Sequence, residues 1–301
     1  MAKTETTKKL LDRYRRLNSQ RANWENHWQE VADYMMPRKA NITKKRSRGD
    51  KRNELIFDSS PLQALELLAA SLHGMMTNPS TPWFTLKFKD AMMDQNDEAK
   101  LWLESVTADM YTAFNRSNFQ QEIFELYHDL ITFGTAAMYI EEDDKDLLKF
   151  STKHIAEIFI AEDDKGRIDT VYRKFSLSAR ALVQQFGNKV SQNMKVMAEK
   201  DPYQDVEVLH AVYPRADFNP KLQDKENMPF ESVYVEMDSG NELSVSGFKE
   251  FPYVVPRYLK ASHEIYGRSP AMTALPDVKM LNEMSKTTIK AAQKQVDPPL
   301  L

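Results

Sequence analysis

A long helix is predicted near the end of the chain, in the stretch SPAMTALPDVKMLNEMSKTTIKAAQKQVDPP, residues 269–299. Ser269 followed by Pro270 indicates a helix start, because serine accepts hydrogen bonds from the first free amides and proline lacks a donor that the first turn does not need. The double proline at 298–299 ends the helix. Pro276 lies inside it, which predicts a kink there or a short helix before a long one.

One side of this helix is basic. At 3.6 residues per turn, Lys279, Lys286, Lys290 and Lys294 fall on one face, with Glu283 among them. Leucine, methionine and alanine residues fall opposite. The pattern predicts a helix with a charged face and an apolar face.

The composition excludes several classes of protein. The chain has 301 residues, of which 42% are hydrophobic, enough for a core, and its 41 basic residues are balanced by 44 acidic ones. A broad basic surface for wrapping nucleic acid is therefore not expected, so any DNA contact is local. The chain has no cysteine for a disulfide or thiolate metal site, and its eight glycines form neither a P-loop nor a dinucleotide fingerprint. A nucleotide-driven motor is excluded.

No targeting or membrane segment is predicted. No run of about 18 apolar residues occurs, and the first residues lack the apolar core of a signal peptide. The six histidines are widely spaced, so no local zinc motif exists. We expect a soluble protein with no membrane partner, no cofactor and no metal.

The first 133 residues are predicted to be mostly helical. Apolar residues at three- and four-residue steps indicate a helix over 10–36, ended by Pro37, and a helix pair over 97–133 in which Ser117 with Gln120 forms a capping box.

A second helix, from about residue 60 to 76, is predicted to be deeply buried because it is apolar around much of its circumference. Ser60, Pro61 and Gln63 give it a capping box with proline in the first turn. Alternating apolar residues at 84–88 indicate a strand.

After Gly134 the pattern becomes that of short strands and turns. Turns are indicated at 163–166 and 238–241, and a helix or helix pair at 178–200 interrupts this region. The strands are predicted at 137–140, 147–152, 157–161, 168–175, 206–212 and 232–237. The fold class is therefore α+β, with an N-terminal helical layer, an antiparallel β-rich middle with a helical insertion, and a long C-terminal helix.

A basic loop lies between residues 38 and 52. Runs of like charge are usually solvated, and we favour that interpretation over binding of DNA or an acidic partner. The residues that would form a basic contact are Lys44, Lys45, Arg46, Arg48, Lys51 and Arg52.

Two patterns invite a catalytic interpretation. The acidic runs at 141–144 and 162–164 carry carboxylates that hard cations accept, which leaves a metal-dependent nuclease or hydrolase using the turns near residues 141–164 as the alternative function. Adjacent carboxylates on turns are more often exposed hairpin ends, and no calcium-loop spacing is present. Asp58, Ser60 and His73 are residue types of a hydrolytic triad, but Ser60 already serves as a helix cap and no nucleophile elbow exists. We expect no catalytic residues.

Four motifs, in order, resemble the podovirus-type portal family, the head-to-tail connectors of DNA phages. They are RNELIFDSS at 52–60, PSTPWF at 79–84, YGRSP at 266–270 and VDPPL at 296–300. The resemblance implies a wing domain over 1–265, helical over 1–133 and β-rich over 134–265. It further implies a first stem helix over 266–297 and the start of a clip at 298–301, with the rest of the family's fold absent from this chain.

The resemblance also implies a function and partners. Portal proteins form dodecameric rings at one capsid vertex, through which double-stranded DNA is packaged and later ejected, and they have no enzyme activity of their own. Expected partners are further copies of the chain, the major capsid protein, terminase, tail adaptor and internal core proteins, and double-stranded DNA bound without sequence specificity. The expected location is the virion, with the host cytoplasm during assembly.

Three interpretations of the lysine face of the last helix follow from this resemblance. The lysines contact DNA phosphates in the channel, pair with acidic groups of a neighbouring subunit, or are solvated. Glu283 within the face favours pairing between subunits.

Overall fold

The structure is a computed structural model that describes residues 2–44, 47, 49–89, 96–219, 221, 224 and 227–296. Its helices are α1 (Ala2–Met35), α2 (Ser60–Met76), α3 (Asp97–Arg116), α4 (Phe119–Phe133), α5 (Ala179–Phe186), α6 (Gln192–Lys200) and α7 (Pro270–Val296). Its strands are β1 (Ala137–Asp143), β2 (Leu147–Lys153), β3 (Ile158–Glu162), β4 (Ile168–Ser178), β5 (Asp205–Pro214), β6 (Phe230–Glu236), β7 (Glu242–Phe248) and β8 (Tyr253–Val254). The chain divides into two compact units, residues 1–26 with 156–253 and residues 27–155 with 254–301.

The first unit is built on a five-stranded antiparallel sheet in the order β3-β4-β5-β6-β7. The central strand β5 is buried on both faces, because its alternate side chains point to opposite sides of the sheet. Leu209 and Ala211 pack with Tyr14 from the start of α1. Val206 and Val208, one residue out of phase, pack with α5 and α6. The helical insertion thus covers one sheet face and α1 covers the other.

The second unit packs α4 against the β1–β2 hairpin. Phe119, Ile123 and Leu126 of α4 meet Met138 and Phe150 of the two strands in one apolar cluster. The sheet order is β2-β1-β8. Trp28 of α1 is completely buried in the same unit, and its indole nitrogen donates to the Phe133 carbonyl oxygen at 3.0 Å. Amphipathic helices therefore provide most of this unit's core.

The predicted fold class is confirmed. Helices occupy the N-terminal part, antiparallel strands with two inserted helices occupy the middle, and a long helix follows. Both predicted hairpin turns are present, since β3 pairs with β4 across residues 163–166 and β6 pairs with β7 across 238–241. The wing and stem boundaries inferred from the resemblance stay predictions.

Three local predictions were wrong. Residues 84–88 form no strand, because no described strand pairs with their backbone. Neither predicted capping box forms, because the α2 cap position is Ser59 and the α4 cap position is Asn118, both without a side-chain cap hydrogen bond. Strand β7 was not predicted, because its serines and glycine weaken the apolar alternation. The structure shows it as a strand because it pairs with β6.

The predicted deep burial of α2 is also wrong for this chain. Only Pro61, Leu65 and Ala69 are buried, whereas Leu67 and Met75 are 70% and 84% exposed. One face of α2 packs against the rest of the unit and the other is open. Helix α7, in contrast, runs through Pro276 as one continuous helix.

Candidate functional site

The start of α7 is held by a serine with two roles. The Ser269 hydroxyl accepts a hydrogen bond from the Met272 amide at 3.0 Å, which confirms the predicted cap. The same hydroxyl donates to the Thr132 carbonyl oxygen, 2.8 Å away near the end of α4. Because Ser269 is fully buried, both bonds are shielded from water. The cap therefore ties the first turn of α7 to the last turn of α4.

Two glycines meet at the same junction. Gly134 ends α4 with a positive φ of 75°, and its carbonyl oxygen accepts from the Tyr258 amide at 2.9 Å. A Cβ atom on Gly134 would overlap the carbonyl group of Gly267, and one on Gly267 would overlap that of Gly134. The Gly267 amide donates to the Thr135 hydroxyl at 2.8 Å. The backbones cross so closely that only glycine fits at either position.

The middle of α7 is held by a buried amide. The Asn282 side chain accepts from the Phe57 amide at 2.7 Å and donates to the Leu55 carbonyl oxygen at 2.8 Å. One turn later the Ser285 hydroxyl lies 3.3 Å from an Asp58 carboxylate oxygen. Hydrogen bonds from Ser60 chiefly, and from Ser285, lower the pKa of Asp58. The residues before α2 are thereby fixed to α7.

Two of the four candidate lysines form ion pairs within the chain. Lys279 lies 2.5 Å from the Glu30 carboxylate, and that hydrogen bond raises the pKa of Lys279. Lys286 pairs with Glu283 of its own helix at 3.0 Å and lies 5.7 Å from the centre of the Phe57 ring. Glu283 thus pairs with Lys286 within one helix, and this ion pair needs no second subunit.

The other two lysines lie on the exposed half of the helix. Lys290 and Lys294 make no ion pair with the residues described in the structure, and every residue from 287 to 296 is exposed. The apolar side of α7 is also open, with exposed side chains at Met280, Leu281, Met284, Ile289 and Val296. We call residues 287–296 the free half of α7.

The basic loop is anchored at its start. The buried Gln29 side chain accepts hydrogen bonds from the Ile42 and Thr43 amides, each at 2.9 Å, and donates to the Ala40 carbonyl oxygen at 3.1 Å. Lys44 forms an ion pair with Asp33 at 2.9 Å.

The rest of that loop is only partly described. The Arg52 guanidinium donates to the Arg38 carbonyl oxygen, and Lys51 is exposed. Lys45, Arg46 and Arg48 lie outside the described residues. The solvated interpretation of the loop therefore stays a prediction.

The acidic runs form hairpin turns. Asp143 accepts from the amides of Lys145 and Asp146, and those bonds lower its pKa. Asp163 likewise accepts from two amides of its own turn, with the same direction of pKa shift. Within the described ranges, no group of three or more acidic or histidine residues is arranged to hold a metal ion. These carboxylates shape turns.

A buried charge cluster was not found from sequence. Asp129 is fully buried and pairs with Lys39 at 2.5 Å, and Lys39 also lies 3.1 Å from Glu125. Burial raises the pKa of Asp129 although Lys39 opposes the effect. Its neighbour His128 points elsewhere, to Glu66 at 3.1 Å, and burial lowers the pKa of His128. Helical periodicity gives no signal for this cluster, because the partners come from distant parts of the chain.

The fold and the free half of α7 define an α+β protein that presents a long helical surface. A family model described as bacteriophage head to tail connecting protein matches residues 7–301, and the chain belongs to that family. It is 35% identical over 305 residues to a probable portal protein of Bordetella phage BPP-1, covering 100% of this chain and 55% of the relative. It is 36% identical over 307 residues to a portal protein of Salmonella phage epsilon15, with the same coverage. The chain spans about half the length of these curated relatives.

No helix in the part of the chain that the structure describes is both long and apolar enough to cross a membrane.

Proposed function

We propose that the full-length protein is a structural portal, a ring of identical subunits at one capsid vertex through which double-stranded DNA is packaged and ejected. Family membership over residues 7–301 supports the proposal. The observation on which it chiefly rests is the free half of α7, which is exposed all round although it continues a helix firmly held at its start.

Such a helix half needs a covering surface. Isolated helices of about ten residues are marginal in water, and most helical stability in proteins comes from packing of an apolar face. Ile289 is 46% exposed and Val296 87% exposed, so that packing is missing within the described chain. Neighbouring copies, together with the remaining half of a full-length protein, would supply it. At 1.5 Å per residue the 27-residue α7 is about 40 Å long, a suitable length for a channel wall.

Lys290 and Lys294 are the residues best suited to contact DNA. They are exposed and form no ion pair with the described residues, whereas Lys279 and Lys286 are paired with Glu30 and Glu283. A sparse set of lysines attracts phosphate without fixing a register, which suits DNA that must slide. Pairing with acidic groups of a neighbouring subunit is the competing role for the same two lysines.

The partners follow from the proposed role. The ring would contact the major capsid protein, terminase, and the tail adaptor and internal core proteins, and it would hold DNA without sequence specificity. It would assemble in the host cytoplasm and remain in the virion. We propose no enzyme activity, and no observation on the acidic turns favours the nuclease alternative.

Electron microscopy of the purified full-length protein tests the ring. Rings with a central hole are expected, whereas monomers that cleave DNA in the presence of Mg²⁺ would contradict the proposal.

Substitution of Lys290 and Lys294 by glutamine in the full-length protein tests the channel role. Rings should still form, but packaged DNA should be retained less well than in the parent at low salt, and the difference should shrink as the salt concentration rises. Lys189 and Lys200, two exposed lysines outside α7, provide the matched control when changed to glutamine. Unaltered packaging and retention in the α7 variant would exclude phosphate contact, and loss of rings would assign these lysines to contacts between subunits.

A further inference from the structure

Residues 84–88 have the side-chain pattern of a strand without a strand partner. Phe84, Leu86 and Phe88 alternate with Thr85 and Lys87, and the structure assigns these residues no regular secondary structure. From residue 85 to 89, no backbone group forms a hydrogen bond with the residues that the structure describes. An unpaired backbone segment with this alternation can pair with a strand of another chain.

The segment is held in place rather than loose. The Tyr111 hydroxyl accepts from the amides of Trp83 and Phe84, both at 2.7 Å, and donates to the Phe84 carbonyl oxygen at 2.8 Å. At the other end the Phe88 ring stacks on Trp102, with centroids 6.3 Å apart. The segment therefore lies along α3. We call residues 82–89 together with α3 the arm.

The arm exposes apolar surface. None of the 20 residues of α3 is buried, and Leu101 and Trp102 are 65% and 59% exposed. A groove of about 540 Å³ runs between α3 and residues 82–87, lined by apolar side chains that include Leu86 and Leu103. An exposed apolar surface of this kind is normally covered by a partner in the functional form of a protein.

A complementary acidic edge occurs in the same chain. Lys87 and Lys89 of the arm form no ion pair with the described residues. Glu142, near the end of β1, and Asp144, in the turn after it, are exposed and likewise form none. Lys87 and Lys89 are two residues apart, the spacing that places side chains on one face of a strand. Glu142 and Asp144 have the same spacing, with one at the end of β1 and the other in the turn that follows it.

Strand β1 is the central strand of its sheet, but its two sides are paired to different extents. Strand β1 has seven residues and pairs with β2 along its full length. On its other side the described chain offers β8, which has only two residues.

We propose that residues 85–89 of one copy add as a strand to the end of β1 in a second copy, on the side opposite β2 and next to the two-residue β8, with Lys87 and Lys89 against Glu142 and Asp144. The basic segment and the acidic edge are different surfaces of one chain, so the contact is heterologous. Repetition of a heterologous contact gives a closed ring when the rotation between copies closes. The inference rests on the proposed ring and names a contact that builds it.

Charge exchange in the full-length protein tests this contact. The variant with Lys87→Glu and Lys89→Glu should lose the ring population in electron micrographs, because like charges then face each other. Adding Glu142→Lys and Asp144→Lys to the same chain should restore it. Rings that persist in the Lys87→Glu and Lys89→Glu variant, or rings that the fourfold exchange does not restore, would overturn the strand contact and leave the portal function standing. An unsubstituted protein that forms no rings would overturn both.

Cysteine pairs provide a second measurement that does not depend on recovery of rings. None of the 301 residues of this chain is a cysteine. The full-length parent without introduced cysteines is oxidised alongside, so that any thiol outside these residues is accounted for. Lys87→Cys combined with Glu142→Cys should give, on mild oxidation, a ladder of covalent multimers in denaturing gels. Lys87→Cys combined with Glu199→Cys, an exposed carboxylate position on α6, is the matched control for random collision. An equal yield in both pairs, or no ladder in the first, would contradict the proposal.

Discussion

Replacement of Gly134 by alanine should strongly destabilise the second unit. Gly134 has a φ of 75°, where an L side chain costs roughly 1–2 kcal/mol. Its Cβ would also overlap the backbone carbonyl of Gly267, which has no flexible end to move aside. Overpacking of that kind costs about 1–3 kcal/mol. The sum predicts a fall of about 2–5 kcal/mol in the free energy of unfolding.

Gly74 provides the matched control. It lies within α2, and a Cβ at that position meets no atom within 4 Å. Gly74→Ala should therefore stabilise the chain by up to about 1 kcal/mol, because alanine is the better helix former. The same chemical change thus has opposite signs at two positions of one unit.

Urea unfolding followed by tryptophan fluorescence measures both effects. Trp28, Trp83 and Trp102 belong to the second unit, so the signal comes mainly from it. Gly134→Asn separates the two causes, because asparagine tolerates positive φ but still brings a Cβ. If Gly134→Asn unfolds at the urea concentration of the parent, the close backbone crossing is refuted. If Gly134→Ala does so as well, the whole argument fails.

Three further predictions concern buried polar groups. Lys39→Met should lower the free energy of unfolding by about 3–5 kcal/mol near neutral pH. Burial raises the pKa of Asp129, so the stability linked to its protonated form is lost as the pH rises through that pKa. The loss of unfolding free energy in the variant should therefore become smaller on acidification. A loss that does not change with pH in urea titrations would count against this. Asn282→Ala should lower the free energy of unfolding by about 1–3 kcal/mol and speed hydrogen exchange of the Phe57 amide. Unchanged exchange of that amide would contradict this prediction. Arg21→Lys should destabilise the first unit in thermal unfolding, because lysine has no guanidinium to bridge the Ala156 and Ile158 carbonyl oxygens; a variant as stable as the parent would contradict that role.

The sequence predicts the lysine face of α7 but not which of its lysines are paired. A helical wheel places four lysines on one side, and that placement depends only on helix geometry. Their ion pairing differs. Glu30 pairs with Lys279 although it is 249 residues away in sequence, whereas Lys290 and Lys294 form no ion pair with a carboxylate of the described chain. Which lysines remain available for DNA is therefore a tertiary property.

The sequence by itself determined the helix that begins after Ser269, the two hairpin turns and the α+β class, because local signals specify each of them. A serine hydroxyl caps its own helix, and a turn needs only its own residues. Tertiary structure alone decided whether an alternating segment became a strand. Residues 84–88 and β5 both suggest strands, yet only β5 has neighbours within the chain. Strand formation requires hydrogen bonds from a second segment, and no local pattern shows whether that segment is present.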